Sequence, residues 1–380
     1  MKHLIYFIPL FLIFAACKPS VKNTEHGGDR IVAANQNSKL NVKEHLGKLL
    51  FFEESLSTPP GQDCGFCHDP AAGFSNPEYG LPVSRGARPG CFGNRNDMTA
   101  AYAAFVPPLQ KNEQTGEWFG GLFWDGRANT LFDQAQGPPL NPLEMANPNR
   151  ASIANVLRTL RYANLFTEVF GADALTDTLK AYQNMAYALE AYMKSKEVCS
   201  FSSKYDQFLA GKTQLSKSEM RGLEIFESKE KGNCAKCHPT KPSQDGTPPV
   251  FSNFTYDNLG VPKNPENPFY KLSADLNREG FGFTDKGLGS VVKDPAQDGK
   301  FRVPTLRNIA VSHPYMHNGI FKTLHQVISF YSTRDMGIWG NPEVPETVNK
   351  KELGNLKLSN EDIDDLVAFL NTLTDGWKAQ

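Results

Sequence analysis

Two five-residue stretches determine how this chain folds and what it binds. They are Cys64-Gly65-Phe66-Cys67-His68 and Cys234-Ala235-Lys236-Cys237-His238. Each has the spacing Cys-x-x-Cys-His, in which two thiols bond to the vinyl groups of one haem while the adjacent imidazole ligates its iron. The alternative is two redox Cys-x-x-Cys pairs, each followed by a chance histidine, which is a poor account of a chain with seven Cys and eight His. The sequence therefore predicts two covalently bound c-type haems.

The residues around the two motifs repeat one order of elements. Apolar residues at helical spacing precede the motifs, in residues 46–52 and 221–226. Amphipathic helices follow much later, at Leu175–Lys194 and after Ser359, while residues 239–304 are rich in Pro, Gly and Asn and predict ordered loops. The pattern predicts a mainly α fold of two tandem cytochrome c-like domains, each with one covalent haem, long ordered loops and few strands. The predicted domains are residues 38–203 and 204–380.

The N-terminal residues predict export from the cytoplasm. A 13-residue apolar run, Leu4–Ala16, is too short to span a bilayer comfortably and ends in small residues before Cys17. This pattern is typical of a lipoprotein signal peptide at residues 1–16, followed by a polar tether at residues 17–37. A plain secretory signal with an incidental cysteine is the alternative. Both place the mature protein in the periplasm, and the first attaches it to a membrane through a lipid on Cys17.

Composition sets further bounds on function. The formal net charge is -1, which gives no general attraction to nucleic acid or anionic membranes. The hydrophobic content of 40% supports packed cores. Cys91 and Cys199 remain after haem attachment and lipidation are assigned, and they form either a disulfide or two buried free thiols.

The sixth coordination position of each iron separates an electron-transfer site from a reaction site. No histidine lies between His68 and His238, so a vacant or water-bound first haem is expected. Met185 and Met193 lie at core spacing on a predicted helix, and the other methionines of this half are Met98 and Met145. For the second haem the residues alone leave six candidates open: His313, Met316, His317, His325, Tyr331 and Met336.

A set of ordered motifs resembles the bacterial di-haem cytochrome c peroxidases and their MauG-type relatives across nearly the whole mature chain. The motifs are the two haem sites, residues 123–128 (Phe-Trp-Asp-Gly-Arg-Ala), Gln134 with Gly137-Pro138, residues 143–145 (Leu-Glu-Met), residues 303–308 (Val-Pro-Thr-Leu-Arg-Asn) and residues 314–319 (Pro-Tyr-Met-His-Asn-Gly).

The resemblance implies roles for three residues near the first haem. Glu144 matches an acid–base glutamate, and Gln134 matches the glutamine beside it. A carboxyl near bound peroxide can take a proton from one oxygen and deliver it to the leaving oxygen, so that water leaves. Trp124 matches a tryptophan between the two haems that can carry electrons. The alternatives are a surface carboxylate for Glu144 and a core aromatic for Trp124.

The resemblance also implies one calcium ion between the domains. Asn96 matches its side-chain ligand, and the carbonyl oxygens of Ser312 and Pro314 match its other protein ligands. Such oxygen ligands suit calcium. Taken alone, Asn96 is equally an ordinary turn residue.

Two departures separate this chain from peroxidases that need reductive activation. Those enzymes have a distal histidine on the first haem, whereas the matching residues here are Val83-Ser84-Arg85-Gly86. They also place a methionine on the second haem, where this chain has Tyr331, as MauG has. An anionic oxygen ligand favours ferric iron. Met316 or a water is the alternative ligand.

Three functions are therefore compared. The leading prediction is a peroxidase that reduces hydrogen peroxide with electrons from a small cytochrome c or cupredoxin. The second is a MauG-type oxidase that modifies residues of a partner protein. The third, a non-enzymatic di-haem electron carrier, would require a sixth protein ligand on both irons and has no use for Gln134 or Glu144. A homodimer is common in the family that the chain resembles.

Overall fold

The structure is a computed structural model that describes residues 40–378. The predicted signal peptide, the tether and Cys17 lie outside the described residues. Within residues 40–378, no helix is both long enough and apolar enough to cross a membrane.

Six α-helices form the first half of the described chain. They are α1 (Val42–Phe51), α2 (Cys64–Cys67), α3 (Leu131–Ala135), α4 (Arg150–Thr159), α5 (Asn164–Phe170) and α6 (Thr178–Met193). A capping box between Asn41 and Glu44 starts α1, and Asp177 caps α6. Helix α1 packs along α6 and buries Leu46 and Leu50 completely. The helix predicted at Leu175–Lys194 is therefore confirmed with slightly shorter bounds.

Five α-helices follow in the second half. They are α7 (Lys204–Leu209), α8 (Lys217–Glu227), α9 (Leu288–Val292), α10 (Leu324–Thr333) and α11 (Asn360–Asn371). Ser359 caps α11 and forms a capping box with Asp362, which confirms the predicted helix start. Helix α8 packs along α11.

The two long helix pairs meet through equivalent glycines. A methyl group added at Gly47 would overlap the carbonyl oxygen of Ala188 on α6. A methyl group added at Gly222 would overlap the carbonyl oxygen of Asp365 on α11. Both halves therefore place a glycine where two helix backbones approach closely, which is the structural counterpart of the repeat seen in the sequence.

The strands are short and few, as predicted. Strand β1 (Gln110–Lys111) pairs antiparallel with β2 (Trp118–Phe119), and β3 (Tyr256–Asp257) pairs antiparallel with β4 (Phe301–Arg302). Most of residues 239–304 has no regular secondary structure beyond short turns. This stretch is held by side-chain hydrogen bonds, such as the one from the Asn264 amide to the Asn318 carbonyl oxygen at 2.9 Å.

The fold class is confirmed, since the described chain is mainly helical with two equivalent helix pairs around two haem motifs. Residues 40–378 lie in one compact unit, and a division between residues 203 and 204 stays a prediction. Cys91 and Cys199 are both buried free thiols. Of the two possibilities left open by the sequence, the structure has the free thiols and no disulfide.

Candidate haem sites and the wall between them

The first motif forms a single helical turn that is held at both ends. The Asp63 carboxylate accepts a hydrogen bond from the Phe66 amide at 2.7 Å, which satisfies an otherwise free donor at the start of α2. The His68 amide donates to the Cys64 carbonyl oxygen at 2.9 Å. The turn places Cys64, Cys67 and His68 in the wall of one cavity, called the first cavity below.

The second motif makes a similar turn without a capping side chain. Cys234–Lys236 form a short 3₁₀ turn that follows Asn233, whose φ of 50° is left-handed. The His238 amide donates to the Cys234 carbonyl oxygen at 2.9 Å. Cys234, Cys237 and His238 lie in the wall of a different cavity, called the second cavity below.

Both motif histidines are oriented by a backbone carbonyl group. The Nδ1–H of His68 donates to the Phe74 carbonyl oxygen at 3.2 Å, and that of His238 donates to the Phe251 carbonyl oxygen at 2.7 Å. Burial lowers the pKa of both imidazoles, to about 4 for His238. A neutral ring with its proton on Nδ1 has a free lone pair on Nε2, which is the form that ligates a metal.

The cavities fit the group that the motifs predict. Counting the part that is open to solvent, the space within them is about 1340 Å³ around the first motif and about 1820 Å³ around the second. Burial raises the pKa of the thiols, to about 12 for Cys64 and Cys234. Burial disfavours a thiolate but not a thioether, which carries no charge. Each cavity therefore has the two thiols, the neutral imidazole and the space that one haem requires.

Glu144 lies in the wall of the first cavity, on a tight turn. The Asn141 amide donates to its carboxylate at 2.7 Å, and the Ala87 amide donates to its carbonyl oxygen at 2.7 Å. Burial raises the pKa of Glu144 to about 7; the charge of Asp97 adds to the rise, and that of Arg127 opposes it. A carboxyl with a pKa near neutrality can both take and give a proton.

Gln134 lies on α3 and lines the same cavity. Thr130 starts this helix by accepting a hydrogen bond from the Asp133 amide at 3.1 Å. The side-chain amide of Gln134 makes no hydrogen bond with another of the described residues. It is therefore free to donate to, or accept from, a small polar ligand in the cavity.

The residues that replace a distal histidine also reach the first cavity. Ser84 and Arg85 both line it. The Ser84 hydroxyl donates to the Asp97 carboxylate, and the Arg85 guanidinium donates to Glu78 at 3.0 Å, so both side chains have protein partners. Within residues 40–378, His68 is the only histidine in the wall of this cavity.

The structure shows which methionines of the first half reach the first cavity, and the result differs from the sequence-based expectation for one of them. Met98, Met145 and Met193 lie in the wall of the first cavity, whereas Met185 is fully buried and does not line it. Met193 is a buried core residue, as predicted, and in addition contacts the cavity. Helical spacing did not separate Met193 from Met185 because both lie on the buried face of α6.

The structure narrows the six candidate ligands of the second haem to three. Met316, His317 and Tyr331 line the second cavity. Tyr331 lies on α10, and burial raises its pKa, with a further rise from Cys234 and Cys237. The hydroxyl of Tyr331 makes no hydrogen bond with another described residue.

The other three candidates do not line the second cavity. The ring of His313 stacks on Tyr79 with the ring centres 4.1 Å apart. His325 is exposed and contacts Asp364 at 2.7 Å. Met336 is 65% exposed.

Trp124 lines both cavities. Its indole N–H donates to the Asn96 carbonyl oxygen at 2.8 Å. Its ring meets Phe301 edge-on with the ring centres 6.5 Å apart, and Phe301 stacks on His317 at 3.7 Å. The tryptophan is therefore fixed in the wall that separates the two haem motifs.

The residues predicted to bind calcium also come together. Asn96, Ser312 and Pro314 all line the second cavity. The Asn96 amide group donates to the Pro82 carbonyl oxygen at 3.1 Å, which orients its side chain. Within residues 40–378, no group of three or more His, Cys, Asp or Glu side chains is arranged to hold a metal ion. A calcium ion here would depend on amide and carbonyl oxygens, and its presence stays a prediction.

Two charged residues in the wall shared by both cavities, one half-buried and one buried, were not singled out from the sequence. They are Asp97 and Arg302. Burial raises the pKa of Asp97 to about 6 and lowers that of Arg302 to about 10. For Arg302, the signal available in the sequence was its position between the apolar residues Phe301 and Val303.

Comparisons with known proteins identify the family. A model of the di-haem cytochrome c peroxidase family matches residues 41–214. The chain is 39% identical over 349 residues to methylamine utilization protein MauG of Paracoccus denitrificans, which covers 87% of this chain and 88% of that protein. It is 31% identical over 347 residues to cytochrome-c peroxidase IdrP1 of Denitromonas iodatirespirans, which covers 87% and 81%.

Comparison with solved structures also finds a di-haem peroxidase. The diheme peroxidase BthA from Burkholderia thailandensis superposes with a TM-score of 0.77 at 32% identity and covers 89% of this chain and 90% of that one. The matching family is a di-haem family, and the two cavities described above each have the residues for one haem c. The chain therefore belongs to the di-haem cytochrome c peroxidase family, which includes the MauG proteins.

Proposed function

We propose that this protein reduces hydrogen peroxide to water at its first haem, with electrons that a small redox protein delivers to its second haem. One peroxide, two electrons and two protons give two waters. The observation that carries the proposal is Glu144, whose pKa is about 7, in the same cavity wall as Cys64, Cys67 and His68.

The residues of the first cavity divide the work of proton transfer and orientation. The bound haem supplies the iron at which peroxide is reduced. The ionised carboxylate of Glu144 takes a proton from one peroxide oxygen and returns it to the other, so that the leaving group is water and not hydroxide. The unpaired amide of Gln134 orients the peroxide by hydrogen bonds. The hydrogen bond from His68 to the Phe74 carbonyl oxygen fixes the orientation of the imidazole that would ligate the iron.

The wall between the cavities carries the electrons. Among residues 40–378, Trp124 is the one aromatic residue that lines both cavities. Tyr331 would hold the second haem together with His238, and Met316 and His317 are the other candidate ligands because they line the same cavity.

The remaining assignments follow from the sequence and the family. The protein acts in the periplasm, where c-type haems are attached, and a lipid on Cys17 tethers it to a membrane. The electron donor is a small cytochrome c or cupredoxin. One calcium ion binds at Asn96, Ser312 and Pro314 beside the second cavity. The functional unit is a homodimer, as is common in the family.

The test is a stopped-flow experiment on the oxidised holoprotein without prior reduction. Stoichiometric hydrogen peroxide is added and the haem absorbance is followed. A rapid change in the haem bands supports a first haem that is open to peroxide. A reaction that requires one electron beforehand contradicts the open site and indicates a hidden distal ligand. No reaction in either state contradicts the peroxidase and favours an electron carrier.

A MauG-type oxidase is the second candidate, favoured by Tyr331 in the wall of the second cavity. In that case residues of a partner protein supply the electrons that reduce the oxidised haem site, and those residues are themselves oxidised. Turnover with a small cytochrome or cupredoxin, measured as peroxide consumed per electron delivered, distinguishes the two. A peroxidase consumes one peroxide per two electrons from the donor. An oxidase reacts with peroxide but gives poor turnover with every small donor.

A further inference from the structure

Arg302 is a buried arginine at a special place in the fold. It ends strand β4 and is 5% exposed. It lies in the wall of both haem cavities, as Trp124 does, and its backbone amide donates to the Trp124 carbonyl oxygen at 2.8 Å. The guanidinium is therefore positioned between the two haem motifs.

The guanidinium has weak partners within the protein. Its Nε–H donates to the Phe123 carbonyl oxygen at 3.3 Å, and one terminal nitrogen donates to the Met98 sulfur at 3.4 Å. No carboxylate among residues 40–378 lies within ion-pair distance of it. Burial accordingly lowers its pKa to about 10, and the phenol of Tyr256 is the one group that opposes the change.

Other buried arginines of this chain are compensated. Arg307 binds both oxygens of Asp206, at 2.6 and 2.8 Å. Arg95 binds both oxygens of Asp285, also at 2.6 and 2.8 Å. Arg302 is as deeply buried but has no such partner in the described part of the chain. A buried cation without an anion costs several kcal/mol, on the order of the whole stability of a domain.

Haem brings the missing anion. Each haem carries two propionate side chains, and a guanidinium binds a carboxylate through two parallel hydrogen bonds. We propose that Arg302 binds a haem propionate at the wall between the two cavities and is its counter-ion. The proposal depends on the two haems that the family carries and not on the reaction with peroxide.

The ion pair has an electrical consequence. A positive charge close to a haem stabilises the ferrous form, which has one positive charge fewer at the iron, relative to the ferric form. Arg302 therefore raises the reduction potential of the haem whose propionate it binds. It also neutralises a negative charge beside Trp124, along the proposed route of the electrons.

The test uses purified holoprotein and three substitutions. Arg302→Met removes the charge and keeps much of the volume, Arg302→Lys keeps the charge, and Arg161→Met is a control at an exposed arginine. Reduction potentials are measured by spectroelectrochemistry, and the propionate bending band is recorded by resonance Raman spectroscopy. Neither readout depends on peroxidase activity, so the failure of this proposal is distinct from a failure of the proposed function.

The expected result is a lower potential of one haem and a shifted propionate band in Arg302→Met. Arg302→Lys is expected to have a reduction potential close to that of the wild type, and Arg161→Met is expected to have the wild-type potential. Wild-type potentials and an unchanged band in Arg302→Met would overturn the proposal.

A crystal structure of the wild-type holoprotein gives an independent answer if Arg302→Met does not mature. A propionate oxygen within 4 Å of the guanidinium is expected from the usual ion-pair distance, about 4 Å at most. A water or an inorganic anion in that place would overturn the proposal.

Discussion

The two haem motifs have nearly the same local geometry, and the walls that face them differ. In both, the histidine amide closes a turn onto the first cysteine at 2.9 Å, and the ring is held by a backbone carbonyl group. The wall around the first motif presents the carboxyl of Glu144 and the free amide of Gln134. The wall around the second presents Tyr331, Met316 and His317.

This difference shows that the residues that attach the haem are not the residues that determine what the haem does. The five-residue motif is enough to bind haem and to provide one axial ligand, so it does the same thing twice. The side chains proposed to act at each haem, such as Gln134 and Tyr331, lie 66 and 93 positions beyond the histidine of their motif. A proton-transferring wall makes a reaction site, and a ligating wall makes an electron-transfer site.

The largest expected effect is on the first cavity. Glu144→Gln removes the proton acceptor while keeping the shape and the hydrogen bond from Asn141, so the rate of the peroxide reaction is expected to fall by roughly 10² to 10⁴-fold. The measurement is stopped-flow absorbance of the oxidised holoprotein. Glu113→Gln, at an exposed position, is the control. A rate within a factor of two of the wild type would contradict the role of Glu144 as proton acceptor, and with it the proposed difference between the two walls.

The second prediction concerns the second cavity. Tyr331→Phe removes the proposed oxygen ligand and is expected to change the absorption and EPR spectra of the second haem. Tyr331→Met offers a thioether, and the potential of that haem is expected to rise by on the order of 0.1 V. The exposed Tyr79→Phe is the control. Spectra of Tyr331→Phe identical to those of the wild type would exclude Tyr331 and leave Met316, His317 or a water as the ligand.

The third prediction tests whether the two halves are packed alike. Gly47→Ala and Gly222→Ala each force a methyl group against a backbone carbonyl oxygen of the partner helix, so each is expected to destabilise the fold by about 1 to 3 kcal/mol. Chemical denaturation of the holoprotein measures this. Gly282→Ala has no heavy atom within 4 Å and is the control. A strong effect at one glycine and none at the other would mean that the two helix pairs contribute unequally to the free energy of unfolding.

The smallest expected effect is a pH dependence that belongs to one cavity. Burial disfavours the ionised carboxylate and raises the pKa of Glu144 from 4.5 to about 7. The base form is therefore present above that pH and is lost below it, and the rate should fall about tenfold per pH unit on the acid side. Glu144→Gln should lose this dependence, and Tyr331→Phe should keep it. A wild-type rate that is flat from pH 5 to 8 would contradict the assignment.

Much of the fold was predictable because its signals are local. The helix start at Ser359 was read from a capping pattern four residues long, and the helices before both motifs were read from apolar spacing. The resemblance to a family selected Glu144, Gln134 and Trp124, and the structure places all three in the wall of one cavity. Their catalytic roles remain predictions until they are tested.

Other features had no local signal. The sequence left six candidates for the second iron, and the structure leaves Met316, His317 and Tyr331 at the cavity. Helical spacing assigned Met193 to the core but could not show that it also reaches the first cavity. The buried charge of Arg302 was not singled out, because whether an arginine is compensated depends on neighbours that are distant in sequence.

The sequence by itself determined that this protein binds two haems and surrounds them with helices and loops. Both follow from interactions within a few residues, which are thioether spacing, helix caps and apolar periodicity. Only the tertiary structure decided which side chains face each cavity, that Arg302 lies in the wall between them, and that burial raises the pKa of Glu144 to about 7. These properties arise from burial and from contacts between segments that are far apart in the chain, so no local pattern records them.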